Sequence, residues 1–280
     1  MMSRNYNKDS FLCCVVLGLL VLIGSSGPAV AQQKDRTELP FARGEQLLYQ
    51  AELNRGLLRG FDVGEVRFSA KLATGNNDER LINLVGDAVA KGLLIRLTGS
   101  KYHMHIESIA DAQPFAAVHM KGLYEDKRTT INSEAAFDQA AEKVIWTQSE
   151  RDKKPDAKTL SFTPPGHDVL TLIYFMRTQH LKPGQTLEVA MVDSGHAYRC
   201  VVNVVAGQKM SSAVGRVNTI AVEPAIFDGT RIVRPRGALA IWFTDDARHL
   251  PVKAQVKSTI GTIDIKLKRV SYPDADLAQK

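Results

Sequence analysis

Three residues at alternate positions, His103, His105 and Glu107, are the first in this chain whose types and spacing suggest chemistry. On a β-strand they would stand in one row on one face, as two imidazoles and a carboxylate must do to begin a metal site. The sequence places no third or fourth ligand, so the expected role is a polar outer face and no metal is assigned. Asp245-Asp246 has the charge for Ca²⁺ or for an acid/base pair. It lies in a turn-rich stretch, however, where short acidic side chains serve the backbone. His167-Asp168 has the look of half a proton relay, yet Asp168 stands where a helix N-cap is expected. Cys200 lies in an apolar strand-like run (Ala197 to Val205) and reads as a small buried hydrophobe. No G-x-S-x-G, H-E-x-x-H, P-loop or C-x-x-C motif occurs after residue 31. No catalytic residue and no cofactor are therefore assigned, and a non-enzymatic protein is favoured over an enzyme.

The aromatics offer a different chemistry. Tyr49, Phe68, Tyr174, Phe175 and Trp242 combine large apolar faces with two hydroxyls and an indole N–H. Such groups line pockets for apolar or amphipathic ligands, with the polar tip left for a head group. Phe41 and Met176 would adjoin them. The plainer alternative is a filled core built of the same residues.

These side chains must be held by β-structure, because the dominant apolar period is two. Val66, Phe68, Ala70 and Leu72 alternate with Glu65, Arg67, Ser69 and Lys71. Val252, Ala254 and Val256 alternate with lysines and a glutamine, as do Ile263, Ile265 and Leu267 with Asp264, Lys266 and Lys268. Further strands are predicted over Gln46–Leu53, Leu81–Val89, Tyr102–Ile109, Phe115–Tyr124, Arg128–Phe137, Lys143–Gln148, Thr186–Met191, Tyr198–Val205, Thr219–Pro224 and Ala238–Phe243. Arg55–Gly60 reads as a loop, Gly75–Asp78 as a turn, and Glu150–Lys158 as a linker or hairpin tip. Lys91–Leu97 is ambiguous, with one helical turn as an option. One principal helix is predicted over Val169–His180, with Val169, Leu172, Ile173 and Met176 as its apolar face and Arg177 and His180 in its last turn. The fold class is therefore mainly β: a long antiparallel curved sheet or open barrel with one principal α-helix on the concave face. A strongly curved sheet often leaves its concavity unfilled.

The first 31 residues join Arg4 and Lys8 to a 13-residue apolar run, Phe11–Ile23, and end in Ala29-Val30-Ala31. That is the pattern of a signal peptide with an A-x-A site, and the run is too short to span a bilayer. The expected organisation is a signal peptide at 1–31, a polar disordered leader at 32–39, one β-rich domain at 40–271 and a flexible tail at 272–280. Removal of 1–31 leaves 249 residues, with a formal charge of +5 in place of +6. The basic residues are dispersed, which disfavours nucleic acid. Only Cys200 remains after processing, so no internal disulfide can form. The expected address is exported: periplasmic in a Gram-negative cell, otherwise secreted, with no transmembrane segment after cleavage.

A set of ordered motifs carries a resemblance. Leu39-Pro40-Phe41-Ala42-Arg43-Gly44-Glu45-Gln46-Leu47-Leu48-Tyr49 is followed by Gly64-Glu65-Val66, then by Asp168–Arg177 with Leu181-Lys182-Pro183-Gly184, then by Ile241–Val252 and Ile260-Gly261. Over about Pro40 to Val270 the chain resembles the bacterial exported family catalogued as domain of unknown function 3108. The resemblance implies export and a β-rich fold, and brings no catalytic residues. A sheet curved around a helix is also similar to the periplasmic lipoprotein carriers, a likeness of fold alone. The leading functional expectation is an envelope protein that binds a lipid or lipidated chain. The alternatives are an interaction module that docks an envelope protein through a sheet edge and, third, a hydrolase of envelope polymer drawing on His167, His196 or Asp245.

Overall fold

The computed structural model describes residues 39, 41, 43–73, 80–92, 95, 101–151, 153–258 and 261–273. The expected signal peptide, nearly all of the leader and tail, and the Gly75–Asp78 turn lie outside the described residues. So does most of Lys91–Leu97, of which Gly92 and Ile95 are helical.

Period-two patterning produces a run of antiparallel hairpins: β1 (Arg43–Arg55), β2 (Leu58–Leu72), β3 (Leu81–Ala90), β4 (His103–Ala112), β5 (Phe115–Glu125), β6 (Thr130–Asp138), β7 (Lys143–Glu150) and β8 (Asp156–Ser161). A two-residue strand, β9 (Gly166–His167), leads into the helix α1 (Val169–Thr178). The second half supplies β10 (Thr186–Asp193), β11 (His196–Ala206), the small hairpin β12 (Met210–Ser212) and β13 (Gly215–Val217), then β14 (Thr219–Asp228), β15 (Arg231–Arg234), β16 (Leu239–Thr244), β17 (Pro251–Ser258) and β18 (Gly261–Ser271). Sixteen strands form one sheet in the order β8-β7-β6-β5-β4-β3-β2-β1-β18-β17-β16-β14-β11-β10-β9, with β15 beside β14. β1 therefore joins the two halves. Pairing is antiparallel throughout this sheet except between β9 and β10.

The sheet is curved and not closed. Leu170 and Tyr174 of α1 pack with Phe41, Ala70 and Leu84 on one limb. Leu172 and Met176 pack with Val189, Val202 and Phe243 on the other. The helix thus lies in the concavity, as the sequence predicts. Beyond it, Trp146 of β7 meets Ala190 and Val192 of β10 through side chains, while β8 and β9 remain the two ends of the sheet. Gly86 on β3 lets the helix come close: a Cβ there would sit 3.4 Å from the Phe68 ring and 3.5 Å from Leu170 Cδ2.

Asp168 caps α1 as expected. Its carboxylate accepts from the Leu170 and Thr171 amides at 2.8 and 3.0 Å, and Thr171 Oγ1 accepts from the Asp168 amide at 2.9 Å. The buried face is wider than the predicted stripe. Leu170, Thr171, Leu172, Tyr174, Met176 and Arg177 are buried, whereas Val169 and Ile173 are partly exposed. A helix enclosed by two limbs buries a broader arc than one lying on a flat sheet.

Other boundaries also differ. The first hairpin turns at Gly56-Leu57, so Arg59-Gly60 belongs to β2 and not to a loop, with Gly60 at a φ of +69°. Glu150–Lys158 contains the start of β8, an edge strand exposed along most of its length and so without alternation. The short strands β9, β12, β13 and β15 carry too few residues to show a period.

Candidate functional site

The five candidate aromatics do not form one wall. Tyr49 and Phe68 meet edge-on with centroids 5.5 Å apart, and the Tyr49 hydroxyl donates to the Pro251 carbonyl at 2.8 Å. Tyr174 lies edge-on to Phe41 at 4.9 Å, and Phe175 leans on the His167 ring at 4.5 Å. Phe68 packs against both the Tyr49 and the Tyr174 groups, so these four side chains adjoin around the helix. Trp242 belongs to neither helix cluster. Its neighbours Ile241 and Phe243 join one of them, whereas Trp242, at a register shift in β16, packs against the cluster of Leu47, Tyr49, Leu250, Val252 and Leu267 that Phe68 also joins. There the Lys253 ammonium lies 5.1 Å from its ring, and the β12–β13 hairpin packs in the same cluster. Tyr49 and Tyr174 are buried at 3% and 1% exposure, which makes them core walls rather than rims.

Among these apolar walls sit polar groups that the sequence did not single out. Glu45 of β1 and Arg177 of α1 are wholly buried and form a two-pronged ion pair at 2.5 and 2.9 Å. Arg177 Nε donates to the Arg248 carbonyl at 3.3 Å, and its guanidinium lies 4.7 Å from the Phe41 ring centre. The Tyr272 hydroxyl donates to Glu45 at 3.3 Å. The expected dipole role of Arg177 is thus joined by a buried tie between the helix and β1. Its only sequence signal was a charged residue within an apolar helical face.

His167 is buried with neither ring nitrogen hydrogen-bonded, and burial pushes its pKa down to about 3. The Tyr174 hydroxyl and Ser108 Oγ are also buried, the first beside the Arg177 guanidinium and the second beside the Asp168 carboxylate. Asp168, wholly buried, has its pKa raised by that burial against the pull of its cap hydrogen bonds. On the other limb, Arg234 of β15 is buried with Nε and Nη1 unpartnered, and burial lowers its pKa to about 10.

This chemistry is not that of an activated site. A neutral His167 without a hydrogen bond to Asp168 is no relay. The Cys200 thiol is pushed up to about 12 by burial, which keeps it protonated and inert. His196 stacks on Tyr198 at 5.8 Å, and Asp245 is exposed in the β16–β17 turn. Asp246 holds its own turn by accepting from Thr244 Oγ1 at 2.7 Å and from the Arg248 amide at 3.0 Å.

The histidine row is occupied by carboxylates. Asp87 of β3 lies 2.9 Å from His105 Nδ1 and 3.3 Å from His103 Nε2, while Glu107 lies 3.1 Å from His105 Nε2. The Asp87 contact raises the His105 pKa, with Glu107 adding to it and partial burial opposing. Among the described residues no group of three or more His, Cys, Asp or Glu converges with metal-binding geometry.

Two polar cavities lie elsewhere. One of about 340 Å³ opens where β1, β2, β3 and β18 meet, lined by Leu48, Arg67, Phe68, Asp87 and Arg269 among others. Tyr49, Tyr174, Phe175 and Trp242 do not line it. The other, about 360 Å³, lies beside the β1–β2 hairpin tip between Arg55, Arg59 and Asp264. No described helix is long and apolar enough to cross a membrane.

Comparison with known proteins places the chain by family. The profile of the family described as Protein of unknown function (DUF3108) matches residues 48–268, and the chain belongs to that family. No curated protein matches. A β-barrel-like protein of domain of unknown function DUF1849 from Brucella abortus has a similar structure, with a TM-score of 0.54 at 10% identity over 81% of this chain and 97% of that one. The structure of a putative exported protein with a YmcC-like fold from Bacteroides fragilis aligns at a TM-score of 0.30 and 8% identity over 81% and 95% of the two chains.

Proposed function

We propose that this member of the DUF3108 family is an exported, non-enzymatic envelope protein that holds an amphipathic ligand, a lipid or a lipidated chain, between α1 and the concave sheet. One observation carries the reading. The concavity is walled by Tyr49, Phe68, Tyr174 and Phe175, yet it contains the two ring nitrogens of His167, which nothing in the described chain satisfies. A buried donor or acceptor without a partner costs about 1–3 kcal/mol. The donor and the acceptor of that one ring are explained by a guest whose polar atoms complete them while its apolar part meets the aromatic side chains. The side-chain seam between the β7 and β10 limbs has no backbone ladder to hold it shut, which offers a way in. The signal-peptide pattern of 1–31 supports export.

Two features favour this reading over its rivals. The edge strand β8 bears Asp156 and Lys158, charges that oppose pairing with a partner's strand. His167, Cys200 and Asp245 lack the activation that a hydrolase needs.

The test is saturable binding of an environment-sensitive lipid probe, together with analysis of lipid extracted from the purified protein. Ala70 is fully buried among the side chains facing α1, so Ala70→Trp should block the probe. Tyr174→Phe, which keeps the packing, should weaken binding of a probe with a polar head and leave a purely apolar probe unaffected. A well-folded wild type that binds no probe and carries no lipid would overturn the reading, as would binding indifferent to both substitutions.

A further inference from the structure

The β1–β2 hairpin tip points to a second surface, independent of the interior ligand: we propose that it docks the protein onto an anionic lipid bilayer. Leu57, at the turn, is fully exposed, and Phe61 four residues on is 37% exposed. A lone exposed leucine is ordinary on any surface. Here it is flanked by Arg55 and Arg59, both exposed, neither of which forms an ion pair among the described residues. Most arginines elsewhere on the sheet are matched: Arg67 with Glu65, Arg199 with Glu188, Arg231 with Asp228, Arg236 with Glu223 and Arg248 with Asp246.

The nearby acids are already engaged. Asp264 is held by Lys253 at 3.0 Å and by the amides of Asn54 at 3.1 Å and Gln255 at 2.8 Å. Glu52 takes Lys266 at 2.5 Å and Lys268 at 3.5 Å. Asp62 accepts from the Gly64 amide at 3.2 Å and is the one exposed acid of the tip. Lys257, on the neighbouring β17, is exposed and adds a further unpaired cation at the same end of the sheet.

Arg55 and Arg59 border the roughly 360 Å³ cavity, whose floor is Gly56, Thr262 and the amide-bound Asp264. The cleft has the cations to receive a phosphodiester head group, with Leu57 beside it to enter the acyl boundary. That pairing of apolar tip and basic flank is what interfacial anchors use. A phosphoanion fits two guanidinium forks better than ammonium groups. A sheet end with one inserted side chain gives weak, reversible docking, strengthened by each basic residue near the anionic surface by about fivefold.

The experiment places a reporter at the tip. In Leu57→Trp, emission should shift to the blue on vesicles of phosphatidylglycerol and phosphatidylcholine, be quenched by brominated acyl chains, and stay unchanged on phosphatidylcholine alone. Added salt should reverse the shift. Arg55→Ser with Arg59→Ser in the same background should lower the apparent vesicle affinity about 30-fold. The sites are exposed, so circular dichroism and the thermal midpoint should match wild type. Overturning results are an unshifted tryptophan on anionic vesicles, an equal shift on both lipids, or an affinity that falls less than threefold in the double-arginine variant. Saturation by inorganic phosphate without any vesicle response would assign the cleft to a free anion and likewise overturn the proposal.

Discussion

Replacing His167 with leucine tests the physical state of the interior. The imidazole is wholly buried, rests on Phe175 at 4.5 Å, and offers two ring nitrogens that no described group contacts. Burial holds its pKa at about 3, against 6.5 for an exposed histidine. The sign follows from proton uptake. The unfolded chain binds a proton near pH 6.5, whereas the folded chain resists it until about pH 3. Stability from this group is therefore complete above about pH 6.5 and is lost as the pH falls from there toward 3. Each unit is worth about 1.4 kcal/mol, so acidification from about pH 7 to about pH 4.5 should cost the wild type about 2–3 kcal/mol through His167 alone. At neutral pH the effects oppose: leucine relieves the unsatisfied nitrogens, worth about 1–3 kcal/mol, and forfeits the ring contact, worth about 0.5–1.5 kcal/mol. The variant should match or modestly exceed wild-type stability there. Urea unfolding of both proteins at the two pH values measures this directly. The gap should move by about 2–3 kcal/mol in favour of the variant on acidification. Parallel pH dependence would refute the reasoning, because it would mean that His167 reaches solvent or a proton acceptor in the fold.

The Glu45–Arg177 pair gives a second expectation. Arg177→Met strands a buried carboxylate with only the Tyr272 hydroxyl and should cost about 3–5 kcal/mol in urea unfolding, whereas Glu45→Leu combined with Arg177→Met should recover much of the loss. For the helix, Leu172→Ala should cost about 2–5 kcal/mol, as for a buried leucine, and Asp168→Ala about 1 kcal/mol or more through the lost cap. Because burial raises the Asp168 pKa, its contribution is fullest below the ordinary aspartate value and fades as pH rises through the raised one. Asp168→Asn should retain the cap and flatten that slope, which thermal midpoints taken across the acid range will show.

What the sequence made legible is what a strong local signal governs. Alternation exposed the long strands, and Asp168 before an apolar run marked the helix. Elements whose residues lack a buried face were hidden: β8 is an exposed, charged edge, and β9 has two residues. At the site the limits were geometric. Tyr49, Phe68, Tyr174 and Phe175 do adjoin around the helix, but Trp242 meets only the Tyr49 cluster, at a register shift in β16 that alternation does not announce. Glu45 and Arg177 lie 132 residues apart, and no local pattern announces a pair closed by the curvature of the whole sheet. Asp87, the partner of His103 and His105, could be found only from the β3–β4 register that sets Asp87 opposite His105.

The interior and the hairpin tip can be judged separately because β1 holds them apart. Glu45, near the start of the strand, faces the last turn of α1 through Arg177, and Arg55 ends the strand at the tip. Ten residues of extended chain span about 33 Å, well beyond the distance at which substitutions without shared partners couple. The stability effects of Arg177→Met and of the Arg55/Arg59 substitutions should therefore add. The same separation makes the probe assay and the vesicle assay independent. A tip variant that lost vesicle binding should still take up probe, and Ala70→Trp should dock on anionic vesicles as the wild type does. Loss of both activities from the tip substitutions alone would mean that the hairpin gates the concavity, and would join the two surfaces into a single site.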